Sequence, residues 1–155
     1  MPLLSGLKGD MLIFDNLNSS ATKSLSNSAT NRMRKIEHIG IAVKSLETSN
    51  LLFEKLFGNP PYKEEEVASE GVKTSFFMNG PNKIELLEAT NPDSPIAKFI
   101  EKKGEGIHHL AIAVKGIEDN LAELDQKGVQ LIDKTPRKGA EGLDIAFIHP
   151  KSTHG

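Results

Sequence analysis

A chain of 155 residues has room for one domain, or for two small similar halves around a shared core. With no cysteine it can form no disulfide, thiolate nucleophile or thiolate metal site, so any metal would have to take His, Asp or Glu ligands. A formal net charge of -2 gives no broad basic field for nucleic acid or an anionic membrane, and no apolar run approaches the roughly 20 residues that cross a bilayer.

Residues 1–32 read as a flexible leader. Asn16 to Asn31 is almost entirely Ser, Asn, Thr and Ala, which cannot bury enough surface to offset the entropy of ordering. A mitochondrial transit peptide is the alternative for a Ser-rich, Glu-free stretch. Against it stand Asp10 and Asp15, with Arg only at Arg32 and Arg34. Met33 would also serve as a start residue. The expected compartment is the cytoplasm, or the mitochondrial matrix if the leader is a transit peptide.

From residue 33 onward an internal repeat organises the chain. His38-Ile-Gly-Ile-Ala-Val-Lys-Ser-Leu-Glu47 recurs 71 residues later as His109-Leu-Ala-Ile-Ala-Val-Lys-Gly-Ile-Glu118. The same offset carries Gly71-Val-Lys-Thr-Ser-Phe-Phe77 onto Gly142-Leu-Asp-Ile-Ala-Phe-Ile148. The first half reads as a strand over 36–43, a helix from Leu46 to Phe57 that turns Leu46, Phe53, Leu56 and Phe57 inward, a weak strand over 63–67, and strands over 72–78 and 83–88. Asn79-Gly80-Pro81-Asn82 supplies the hairpin turn between the last two. A linking helix over 93–103 follows, capped by Asp93 and ended by Gly104. The second half, about 105–155, reads as a strand over 107–114, a helix over 117–127 and strands over 129–132 and 143–148. Its counterpart of the 83–88 strand is absent. The fold class is α+β.

Alternation along the two repeated strands sends Ile39, Ile41, Val43 and Leu110, Ile112, Val114 to one face, and His38, Gly40, Ala42 and His109, Ala111, Ala113 to the other. Bulky residues must pack on the helices. The histidines then sit among Gly and Ala, which leave space, and two equivalent histidines facing one cavity suit a divalent metal of the zinc, cobalt or manganese kind. Glu85, turned the same way by Ile84 and Leu86, is the best-placed third donor. His108 falls on the opposite face and reads as structural or exposed.

The strings Lys35-Ile-Glu-His-Ile-Gly-Ile-Ala-Val43, Asn82-Lys-Ile-Glu-Leu-Leu-Glu88, Gly106-Ile-His-His-Leu-Ala111 and Ala146-Phe-Ile-His-Pro-Lys-Ser-Thr153 together resemble methylmalonyl-CoA epimerase, of the glyoxalase-like, vicinal-oxygen-chelate superfamily. The resemblance covers essentially 33–155. It implies paired βαβββ modules in a curved mixed sheet, here with the last strand of the second module missing. It implies a divalent metal on His38, Glu85 and His109, and C2 epimerisation of an acyl-CoA through an enolate. The fourth ligand of the family, a Glu also thought to move the proton, would lie beyond Gly155. Thr74 stands where some members carry a second catalytic Glu. No catalytic base is therefore assigned within the chain. Arg137, Lys138 and Lys151 are candidates for contacts to the CoA phosphates, and a homodimer is expected. A glyoxalase I, an extradiol dioxygenase and a metal-free binding module share the fold and are the alternatives.

Overall fold

The computed structural model describes residues 10–15 and 35–154. Strand β2 (Lys35–Ala42) leads into helix α1 (Leu46–Phe57), then β3 (Lys63–Val67), β4 (Val72–Asn79) and β5 (Asn82–Ala89). Helix α2 (Pro95–Lys103) links to β6 (Gly106–Val114), helix α3 (Ile117–Gln126), β7 (Arg137–Lys138) and β8 (Asp144–Ile148). An N-terminal strand, β1 (Asp10–Asp15), completes one eight-stranded sheet in the order β3-β4-β5-β2-β6-β1-β8-β7.

The helix ends follow from residue chemistry. Ser45 caps α1 through Thr48 N, and Gly58 ends it at φ 77°, a conformation that costs glycine little. At α2 the cap is Ser94, not Asp93: its hydroxyl accepts from Ile96 N at 3.2 Å, and Pro95 takes the first helical position, where no N–H is needed. In α1, Leu46 is buried and Phe53 and Phe57 pack against the core. Leu56, expected on that face, is 64% exposed.

Each half buries its bulky strand face under its own helix. Val43, Leu46, Phe77 and Leu86 form one core with Phe53 and Phe57 of α1, and Ile13, Val114, Ile117, Leu121, Ala146 and Ile148 form the other with α3. On the opposite face, α2 lays Ile96 and Phe99 against Ala42, Val72 and Leu87.

Two expectations change here. The stretch 129–132 is not a strand and makes only a bridge from Leu131 to Ile148. The Asp133 carboxylate accepts from Phe147 N at 2.9 Å, taking a donor that a continuing ladder would need. The leader, in turn, is not uniformly without structure. β1 pairs parallel with β6 and antiparallel with β8, as β5 pairs parallel with β2 and antiparallel with β4. It fills the place of the strand expected to be missing from the second half. Ile13 and Phe14 are buried there. Residues 1–9 and 16–34 of the leader lie outside the described residues.

Candidate functional site

The two central strands β2 and β6 run antiparallel, so their equivalent histidines approach each other across the pair. His38 Nε2 lies 2.9 Å from His109 Nε2. Glu85 is brought level by the parallel β2–β5 register, Gly40 opposite Glu85, and its Oε2 lies 3.2 Å from His38 Nε2 and 3.3 Å from His109 Nε2. All three residues are buried. Bonds of about 2.1 Å at right angles put neighbouring donors about 3 Å apart, so this triangle fits a divalent ion of the zinc, manganese or cobalt size. Among the described residues His38, Glu85 and His109 form the one such group. In the second half the register position equivalent to Glu85 belongs to Leu12, opposite Ala111, and leucine has no donor atom.

Gly40 makes the packing possible. A Cβ placed there would come within 2.5 Å of Nδ1 and Nε2 of the His109 ring, so the ring occupies the volume that a side chain would take.

Bulges in both central strands re-aim the residue ahead of each histidine. The pairing steps from Ile36–Ile112 to His38–Ala111, leaving Glu37 as an extra residue in β2. It steps again from Gly40–His109 to Ile41–Ile107, leaving His108 extra in β6. Simple alternation would turn both away from the cavity. Instead Glu37 Oε2 bonds His38 Nδ1, and His108 Nδ1 sits 3.0 Å from His109 Nδ1. His108 lines the cavity, edge-on to Phe99 with ring centroids 4.9 Å apart, so its expected structural or exposed placement is corrected. Only the switch from His38–Lys83 and Gly40–Glu85 pairing to a broken β2–β6 register reveals this, and sequence periodicity carries no trace of it.

Charge in the site is set by these contacts. Burial disfavours a charged His38, but the hydrogen bonds its ring donates to the Glu37 and Glu85 carboxylates overcome it and raise the ring to about 9. Burial pushes Glu85 up, and the His109 and His38 rings hold it far below the usual carboxylate range. His108 is lowered to about 3 by burial and by the neighbouring His109. Lys83 Nζ bridges Glu37 Oε1 at 2.9 Å and Glu141 Oε2 at 2.8 Å, and is raised by those carboxylates despite its burial.

The cavity around the triad is walled by Val72, Thr74, Phe76 and Leu87 from the first half and by Phe14, Ile145 and Phe147 from the second. Phe14 of β1 stands edge-on to His38, centroids 6.2 Å apart. Of the three proposed phosphate contacts only Arg137 lines the cavity, paired with Glu70 and Asp133 and stacked 5.1 Å over Phe147. Lys138 is exposed and paired with Asp144 at 2.8 Å, and Lys151 is exposed on the turn Pro150–Ser152. Thr74 is buried and its hydroxyl donates to Glu65 O at 3.3 Å. No helix among the described residues is long and apolar enough to cross a membrane.

Comparison with known proteins gives the family. The model of the Glyoxalase/Bleomycin resistance protein/Dioxygenase superfamily matches residues 37–147. The uncharacterized protein YqjC of Bacillus subtilis is 42% identical over 79% of this chain and 88% of its own length. The mitochondrial methylmalonyl-CoA epimerase of Dictyostelium discoideum is 36% identical over 78% of this chain and 74% of its own. Among solved structures, a variant of the Streptomyces coelicolor methylmalonyl-CoA epimerase in complex with 2-nitronate-propionyl-CoA superposes with a TM-score of 0.72 at 32% identity, over 78% of this chain and 88% of that one.

Proposed function

Since this chain belongs to the glyoxalase/bleomycin resistance protein/dioxygenase superfamily, we propose that it epimerises methylmalonyl-CoA at C2, with His38, Glu85 and His109 holding a divalent cation. The observation that carries the reading is the convergence of two repeat-related histidines and one glutamate on a single buried point, in a chain whose relatives include methylmalonyl-CoA epimerases.

Epimerisation removes the C2 proton and returns one to the opposite face, and a carbon acid beside a thioester needs its developing enolate charge stabilised. A divalent cation on the three donors would supply Lewis-acid stabilisation of that charge and a fixed point for the substrate oxygens. The chain's own residues provide the setting. Phe76, Leu87, Ile96, Ile145 and Phe147 line the cavity with apolar surface, and a substrate seated against them would displace water and strengthen the charge interactions inside. Arg137 offers a guanidinium at the cavity wall for an anionic part of the substrate, its orientation set by Glu70 and Asp133. Each carboxylate lining the cavity is already engaged: Glu85 by the histidines, Glu70 by Arg137 and Glu141 by Lys83. The reading also carries a homodimer, for which Leu51, Leu52 and Leu56 of α1 offer an exposed apolar face.

The test is deuterium incorporation at C2 of methylmalonyl-CoA in heavy water, with cobalt or manganese supplied. Incorporation that His38→Ala abolishes supports the reading, and none above the no-protein rate overturns it. Two histidines and one carboxylate are also the donor set of non-haem iron dioxygenases. Oxygen consumption with ferrous iron and a catechol would favour that second reading.

A further inference from the structure

The repeat does more than place two histidines. It places one residue ahead of each at the same 71-residue offset, Glu37 and His108, and it puts a β-bulge at both positions. We infer that Glu37 and His108 are a matched pair of positioning residues, each fixing the Nδ1 of the histidine that follows it so that both Nε2 atoms are preset toward the metal. The inference rests on the metal-binding reading above.

The hydrogen bonds run in one direction. An ionised carboxylate only accepts, so Glu37 requires a proton on His38 Nδ1. Lys83 holds Glu37 from its other oxygen at 2.9 Å and is itself held by Glu141, which anchors the carboxylate in place. At the other histidine, the 3.0 Å contact between His108 Nδ1 and His109 Nδ1 needs one donor and one acceptor. If His109 is to offer the Nε2 lone pair to a metal, its proton must sit on Nδ1, and His108 Nδ1 is then the acceptor. Phe99, edge-on to His108, and Gly40, which leaves the His109 ring its volume, keep the two rings in this arrangement.

A bulge costs ladder pairing, and alternation alone would have turned these two side chains to the helix-covered face. Both strands lose regularity at the one residue that can reach its neighbour's Nδ1. The two supports differ in chemistry. A carboxylate partner raises the donor strength of His38, whereas a neutral imidazole orients His109 without adding charge. The pseudo-symmetric site is therefore electronically asymmetric, with His38 the stronger donor.

The test uses the full chain stripped of metal, with cobalt alone as the probe. Wild type, Glu37→Ala, Glu37→Gln, His108→Ala and His108→Asn are titrated with cobalt, with His38→Ala as the non-binding control. Each alanine variant is expected to bind about 10- to 100-fold more weakly, and Gln or Asn, which keep an acceptor oxygen, to recover part of the loss. In a nitrogen-15 histidine spectrum of the unmutated zinc-loaded chain, the His109 Nδ1–H should be protected from solvent exchange, and His108→Ala should expose it. That spectrum needs no variant to fold. Unchanged cobalt affinity in both alanine variants, or a His109 Nδ1–H that exchanges freely in the unmutated zinc-loaded chain, would overturn the inference while leaving the metal site standing. A wild-type chain that fails to bind cobalt overturns the functional reading and this one with it.

Discussion

Gly40 and His109 share one volume, and that makes Gly40 the most sensitive non-ligand position in the site. Gly40→Ala leaves the backbone unstrained but pushes its methyl into the ring, so the His109 Nε2 must leave the triangle. Cobalt affinity should fall at least tenfold with a small change in melting midpoint, and unchanged affinity would show that the ring has room to spare. His38 supplies a second prediction at this scale. Its folded value of about 9 lies above the ordinary histidine value of 6.5, so the protonated ring stabilises the metal-free fold fully below pH 6.5, and that stability is lost as pH rises to 9. Metal must displace the Nε2 proton, so cobalt affinity should move the opposite way and climb across the same window. Calorimetric titration at pH 6.5, 7.5 and 9 reads the trend, and a flat profile would mean that His38 is not a ligand. His38, His109 and Glu85 were all legible in the sequence, because a repeat offset and a two-residue period locate them without knowledge of the fold.

At the scale of elements, the same period misleads by one residue wherever a bulge intervenes. His108 reads as facing away from the cavity because alternation counts every residue, and the extra residue in β6 resets the count. Nothing in Gly106-Ile-His-His-Leu marks the bulge, since its cause is the pairing partner and not the local chain. The 129–132 stretch fails for a similar reason: its apolar residues suit a strand, but Asp133 competes for the ladder donor. Helix α2 was legible, with its cap displaced by one residue to Ser94. That cap has consequences for the site, because α2 carries Ile96 into the cavity wall and Phe99 against His108. Ser94→Ala should cost about 1 kcal/mol and lower the melting midpoint by about 2 to 4 °C. A midpoint unchanged within error would mean that Pro95 and the packing of Ile96 and Phe99 suffice to start the helix.

The whole molecule is where the sequence was least informative, because β1 is a six-residue run whose pairing partners all lie 99 or more residues away, as Asp10 with His109. Local composition around it is polar, and no periodicity could have indicated that β6 and β8 have a strand between them. Its energetic weight is nevertheless large. Ile13 is 3% exposed in the core beneath α3, and Phe14 is 7% exposed between Ala111, Ile145 and the His38 ring. A chain starting at Met33 would leave β6 and β8 with unpaired inner edges and the second core open on one side. The expected outcome is a marked drop in melting midpoint, together with a tendency to associate through the bared edges. Ile13→Ala separates the packing contribution from the pairing contribution: it keeps the strand and removes core volume, at a cost of about 2 to 5 kcal/mol. Since β2, β5 and β6 carry all three proposed ligands, Ile13→Ala should bind cobalt as wild type does at temperatures where it is folded. The shortened chain, having also lost Phe14 from beside His38, should bind more weakly. Equal melting midpoints for the full and shortened chains would show that β1 contributes nothing to the fold, and that the second half stands without it.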